Sequence, residues 1–148
     1  LGIKTLADLA AHAPQLTIAG DYEFFSRPEW EAIRESYGLS FKAQRAMQAE
    51  FMYPAAGNEV DVISAYTSDG RIAQYDLVVL EDPKGVIPPY DAVLLVSPKR
   101  AGDAALLAAL KPLDGAIDVT LMREANLRAG QSHPPEQVAT WLEQQLRN

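Results

Sequence analysis

The chain has 148 residues, a formal charge of −7 and no cysteine. That length suits one domain, or one lobe with part of another, and a core that needs no disulfide. The acidic balance speaks against a nucleic-acid or anionic-membrane surface, since both want clustered Lys and Arg, and no apolar run reaches the roughly 20 residues that cross a bilayer.

Residues 1–13, LGIKTLADLAAHA, lack the basic and apolar regions of a signal peptide. An exported protein is therefore expected to be met here without its leader, and the absence of Cys permits an oxidising compartment. Thr5 and Asp8 have the spacing of a capping box for a short helix, Leu6–His12, that stops near Pro14. LTIAGD at 16–21 reads as a buried strand. Arg27-Pro28-Glu29 opens a helix, with Pro preorganised at its first position and Glu29 and Glu31 at the positive end of its dipole. Gly38 closes it. SFKAQRAM at 40–47 alternates like a half-exposed strand, and residues 48–58 predict a helix shortened or kinked by Pro54.

VDVISAY at 60–66 predicts a strong strand, and DLVVLED at 76–82 and YDAVLLVS at 90–97 predict two more. After Ser97 three helices are expected, in AGDAALLAALKPL, IDVTLMREANLRAG and PPEQVATWLEQQLRN. Leu106, Leu110 and Leu113 share one side of the first. Val138, Trp141, Leu142 and Leu146 form a stripe on the last. Alternating elements imply an α/β fold, with a largely parallel or mixed sheet flanked by helices. The helical tail expects apolar surface to cover.

Most routes to chemistry are poorly supplied. His12 and His133 lie at opposite ends of the sequence without further metal-ligand spacing, so neither a metal nor a cofactor is expected. Ser64 and Ser68 lack a nucleophile motif, and the glycines follow no phosphate-binding pattern. Glu81, Asp82 and Asp69 each have a plain role in turns. Tyr66 ends the strongest predicted strand and Tyr90 follows Pro88-Pro89. Strand ends of open α/β sheets are where ligands gather, and two ring faces there could hold a quaternary ammonium. Packing at the core edge is the competing account of both rings. Arg27, with Glu23 as a partner to orient it, presents a planar fork suited to a carboxylate.

TLADLA at 5–10, EFFSR at 23–27, YGLSF at 37–41, VDVISAYTSDGRI at 60–72, DLVVLEDPKGVIPPYDAVLLV at 76–96 and LMREAN at 121–126 together carry a family resemblance over nearly the whole chain. The chain resembles the C-terminal portion of substrate-binding proteins of ABC importers for glycine betaine, choline, carnitine and related osmoprotectants. The resemblance implies a type II periplasmic-binding-protein fold in two lobes. Residues 1–88 would form the second lobe with the first crossover, and residues 89–148 the return strand and helices of the first lobe. It implies that Tyr66 and Tyr90 belong to a tyrosine box around the ammonium, and that Arg27 holds the carboxylate. Thr67 would also touch ligand, and Glu23, Asp69 and Gly70 would shape the turns. The remaining walls are expected from residues outside this chain. A periplasmic or cell-surface location, a permease partner and no enzymatic activity follow from the same resemblance. An uncovered lobe face would favour self-association. Two alternatives stay open: the same fold with another small solute such as an amino acid, and an α/β hydrolase or transferase using Asp69 or Glu81 as base.

Overall fold

The computed structural model describes residues 1–146. Helix α1 (Leu6–His12) starts in a full capping box. The Thr5 hydroxyl accepts from the Asp8 N–H at 3.0 Å, and Asp8 accepts from the Thr5 N–H at 3.0 Å, so two donors left over at the helix start are paired. A 3-10 turn containing Pro14 leads into strand β1 (Thr17–Gly20). Helix α2 (Pro28–Tyr37) has Pro in its first turn and ends at Gly38 with φ 64°, a left-handed cap that glycine adopts without strain. Strand β2 (Ala43–Ala46), helix α3 (Ala49–Ala55, containing Pro54), strand β3 (Val62–Ile63) and the single-turn helix α4 (Arg71–Gln74) follow.

The three strands form one parallel sheet in the order β2-β1-β3. The central strand is apolar on both faces: Ile18 is 4% and Ala19 0% exposed. On one face Leu9, Ala13, Ile33, Tyr37 and Leu39 pack together, with Val62 against them. On the other, Ala19 meets Ala55 and Val60, with Ile63 alongside. Successive strand residues point to opposite faces, so neighbours Val62 and Ile63 serve different cores. Helices α1 and α2 therefore cover one face and α3 the other.

Three strand expectations need correction. The strand read over 60–66 pairs only at Val62–Ile63, because the chain turns away from β1 once Ser64 N–H has bonded the Ala19 carbonyl at 2.9 Å. The strands read over 76–82 and 90–97 do not form among the described residues, apart from one bridge between Glu81 and Thr5. Those segments have apolar side chains but no neighbouring strand to take their backbone bonds. Val78 is 72%, Val93 70% and Leu95 92% exposed.

The three C-terminal helices are present as α5 (Ala104–Leu110), α6 (Val119–Gly130) and α7 (Pro135–Leu146). Asp103 and Asp118 cap the first two by accepting from Leu106 N–H and Leu121 N–H. α6 packs against α4 and α7, burying Ala125 and Val138. Leu107, Leu113, Ile117 and Val119 stay exposed.

The segment that leads to Tyr90 is tied to α2. The Tyr37 hydroxyl donates to Asp82 and accepts from Lys84 N–H at 2.8 Å, while Asp82 also accepts from Ile87 N–H at 2.7 Å. Burial and the Asp82 carboxylate both push the Tyr37 phenol up. Tyr37→Phe keeps the ring in the core and removes these bonds. The amides of Lys84 and Ile87 should then exchange faster with solvent, with the amides of β1 unchanged; native-state hydrogen exchange checks this.

Candidate functional site

Strands β1 and β3 run parallel and side by side, so the loops after them leave from the same edge of the sheet. The loop after β1 carries Glu23 and Arg27, and the loop after β3 carries Tyr66 to Gly70. Aromatic packing fixes the first of these. Phe24 and Phe25 stand 5.3 and 5.4 Å from Trp30, ring centre to ring centre, and Trp30 is buried at the start of α2. The turn between them presents Arg27 outward.

There Arg27, Tyr66 and Tyr90 come together. The Tyr66 and Tyr90 rings lie 6.4 Å apart at 69°, an edge-to-face arrangement favoured by ring quadrupoles. Both are open to solvent, at 61% and 58% exposure, so neither is a core-edge packing residue. The Arg27 guanidinium bonds Glu23 at 2.9 Å and lies near Tyr66. These two neighbours, Glu23 first, push the Arg27 pKa up. The Tyr90 hydroxyl donates to Glu29 at 3.1 Å, and that carboxylate raises the Tyr90 pKa.

The remaining predicted residues build the loop. The Thr67 carbonyl accepts from Arg123 Nε at 2.8 Å, and the Ser68 carbonyl accepts from Asn126 Nδ2 at 2.8 Å. Asp69 turns inward and takes both nitrogens of the Arg71 fork, at 3.0 and 2.7 Å, together with the Arg71 N–H at 2.9 Å. That bidentate pair holds the Asp69 carboxyl below its usual range. The guanidinium of Arg71 lies 4.1 Å above the ring of Tyr53, which is 2% exposed. Burial first, and then Asp69, push the Tyr53 phenol up. Gly70 permits close approach: a Cβ there would stand 2.2 Å from the Leu127 N of α6. An open groove of about 360 Å³ flanks Tyr66 between this loop and α6.

Asp69 is thus spent on the loop, while the backbone of Glu81 bridges to Thr5. Among the described residues no cluster of three or more His, Cys, Asp or Glu stands where it could hold a metal. Sequence reasoning missed Glu29, Tyr53, Arg71, Arg123 and Asn126 as parts of this neighbourhood. Glu29 had a sufficient local explanation as a dipole partner of α2, Arg71 pairs with Asp69 two residues before it, and Tyr53, Arg123 and Asn126 join the loop only through tertiary contact. The available signals were LMREAN, which contains both α6 donors, and TSDGRI, which contains Arg71.

The class to which this arrangement belongs is a solute-binding lobe of the periplasmic-binding-protein type. The chain belongs to the family of substrate-binding domains of ABC-type glycine betaine transport systems, whose family model matches residues 1–144. It is 31% identical over 142 residues to the carnitine transport binding protein OpuCC of Listeria monocytogenes, covering 93% of this chain and 46% of that protein. It is 32% identical over 154 aligned positions to a glycine-betaine-binding protein of Pseudomonas aeruginosa, covering 94% and 50%. With the ergothioneine transport permease/ergothioneine binding protein EgtU of Helicobacter pylori it shares 27% identity over 84% of this chain and 23% of that protein. A crystal structure of a glycine betaine/carnitine/choline ABC transporter overlays with a TM-score of 0.83 at 33% identity, over 98% of this chain and 54% of that one. The chain spans about half the length of the carnitine and glycine betaine relatives.

Two outcomes follow from the loop. Gly70→Ala should push α6 away from α4 and lower unfolding free energy by about 1–3 kcal/mol, measured by chemical denaturation. The carboxyl of Asp69 has a folded-state pKa below its ordinary 3.8. Its contribution, of order 1 kcal/mol after solvent screening, is complete above the unfolded value and is lost as pH falls through the folded one. Melting temperature should drop between about pH 5 and pH 2, and Asp69→Asn should flatten that part of the profile.

Proposed function

We propose that this chain is part of the solute-binding component of an ABC importer and that the solute is a quaternary-ammonium osmoprotectant of the glycine betaine, choline or carnitine type. The observation that carries this is the meeting of two exposed tyrosine rings, 6.4 Å apart, with the Arg27 guanidinium in their neighbourhood. Ring faces attract an N-methylated cation that has no hydrogen to donate. A guanidinium carries five N–H donors, more than Glu23 accepts, so Arg27 can also take a carboxylate. Thr67, exposed and next to Tyr66 in the chain, would touch the solute in the same reading. The names of the relatives add support, since carnitine, glycine betaine and ergothioneine each combine a trimethylammonium with a carboxylate.

In this reading residues 1–88 make the second lobe and residues 89–148 return to the first, whose remaining walls would complete the cage. The exposed apolar run at 93–95 fits a strand that pairs with that lobe. Binding without turnover, a permease partner and an exported or membrane-anchored location belong to the same proposal. Self-association is the expected behaviour of these residues alone, through the same uncovered apolar surface. Light scattering checks it, and a monomer at high concentration would count against it.

Calorimetric titration of the intact protein with glycine betaine, choline and carnitine tests the ligand class. Tyr66→Ala and Tyr90→Ala should each weaken binding by about 1 kcal/mol or more. Arg27→Ala should weaken glycine betaine and carnitine more than choline. Heat with an amino acid and none with the three amines would favour the other solute class, and product formation in a substrate screen would favour an enzyme.

A further inference from the structure

The two rings of the proposed cage have opposite electrical partners. Tyr66 has a cation, Arg27, as its charged neighbour. The Tyr90 hydroxyl meets an anion, donating to Glu29 at 3.1 Å. A phenol that donates to a carboxylate gains electron density in its ring, and a ring beside a cation is drawn the other way. Cation–π attraction follows the negative potential on the ring face, so the two faces are unequal. The charge inventory points the same way. Glu23 balances Arg27 at 2.9 Å, which leaves Glu29 as a net negative charge behind Tyr90.

Glu29 also has reason to stay in place. It lies in the first turn of α2, where the helix dipole favours a carboxylate, and it is half-buried. Its neighbour Trp30 is locked in the aromatic cluster. Tyr90 is placed from its own side by Pro88-Pro89, which restrict the backbone before it.

We propose that Glu29 is a specificity-determining, positioning residue: acting through the Tyr90 hydroxyl, it makes the Tyr90 ring the stronger cation wall and selects a charged head group over a neutral one of the same shape. This rests on the quaternary-ammonium reading given above. Glu29 need not touch the solute, and its effect should disappear when the hydroxyl between them is removed.

The test compares choline with its neutral isostere 3,3-dimethylbutanol, titrated into the intact protein and into Glu29→Gln, Tyr90→Phe and the double variant. Gln keeps an acceptor oxygen at the same reach, so the ring stays placed while the charge is removed. Glu29→Gln should weaken choline about three- to tenfold and the isostere less than about twofold. In the Tyr90→Phe background the choline effect should fall below about twofold. Equal losses for both guests, no loss for choline, or a full loss that persists without the hydroxyl would each overturn the proposal. If the unsubstituted protein binds none of choline, glycine betaine and carnitine, the ligand reading itself fails, a result visible before any variant is made. A measurement without any guest stands beside these. The Tyr90 phenol, which faces Glu29, Arg27 and Tyr66, should ionise at lower pH in Glu29→Gln. An unchanged titration of its ring resonance would overturn the coupling.

Discussion

The strand β1 is the constraint on which the other parts depend. Four residues, Thr17–Gly20, are bonded along both edges and covered on both faces. Ile18 and Ala19 are nearly inaccessible to water. Both neighbours run parallel to it, so their carboxyl ends emerge together. Arg27 and Tyr66 are 39 residues apart in sequence by their numbering, yet they meet because β1 and β3 are adjacent and parallel. Everything that makes the site plausible as a binding lip follows from that adjacency and from the turn that Phe24, Phe25 and Trp30 stabilise.

The loop after β3 is held from behind by charge and by close packing. Asp69, Arg71 and Tyr53 form a compact stack under it, and Arg123 and Asn126 of α6 take the carbonyls of Thr67 and Ser68. A side chain at Gly70 would run into the α6 backbone, which comes against the loop there. The consequence is a division of labour within TSDGRI. Its backbone carbonyls and its acidic and basic side chains are engaged in holding shape, and Tyr66 just before it is left projecting. The exposed ring is thus the product of a rigid support, and the C-terminal helices contribute part of that support.

Helices α1 and α2 were legible because their signals are local. Thr5 and Asp8 close a ring within one turn, and Pro28 and Gly38 act through their own dihedral angles. Strands are different. VDVISAY, DLVVLED and YDAVLLVS all have strand-like composition, but a strand exists only where a neighbour accepts its backbone bonds. Val62–Ile63 finds β1 and pairs. Val93 to Leu95 find no neighbour among the described residues and stay unpaired, with apolar side chains in solvent.

The residues alone indicated a chain of α/β type and most of its helices, and marked Tyr66, Tyr90 and Arg27 as candidates for a methylated cation and a carboxylate. Each of these rests on short-range geometry or on side-chain chemistry, which are written residue by residue. The fold decided which of those residues share a lip, that Asp69 points inward, and that Glu29 stands behind Tyr90 while Arg27 stands beside Tyr66. Those facts depend on contacts between segments tens of residues apart, and no local rule of spacing carries the distance between them.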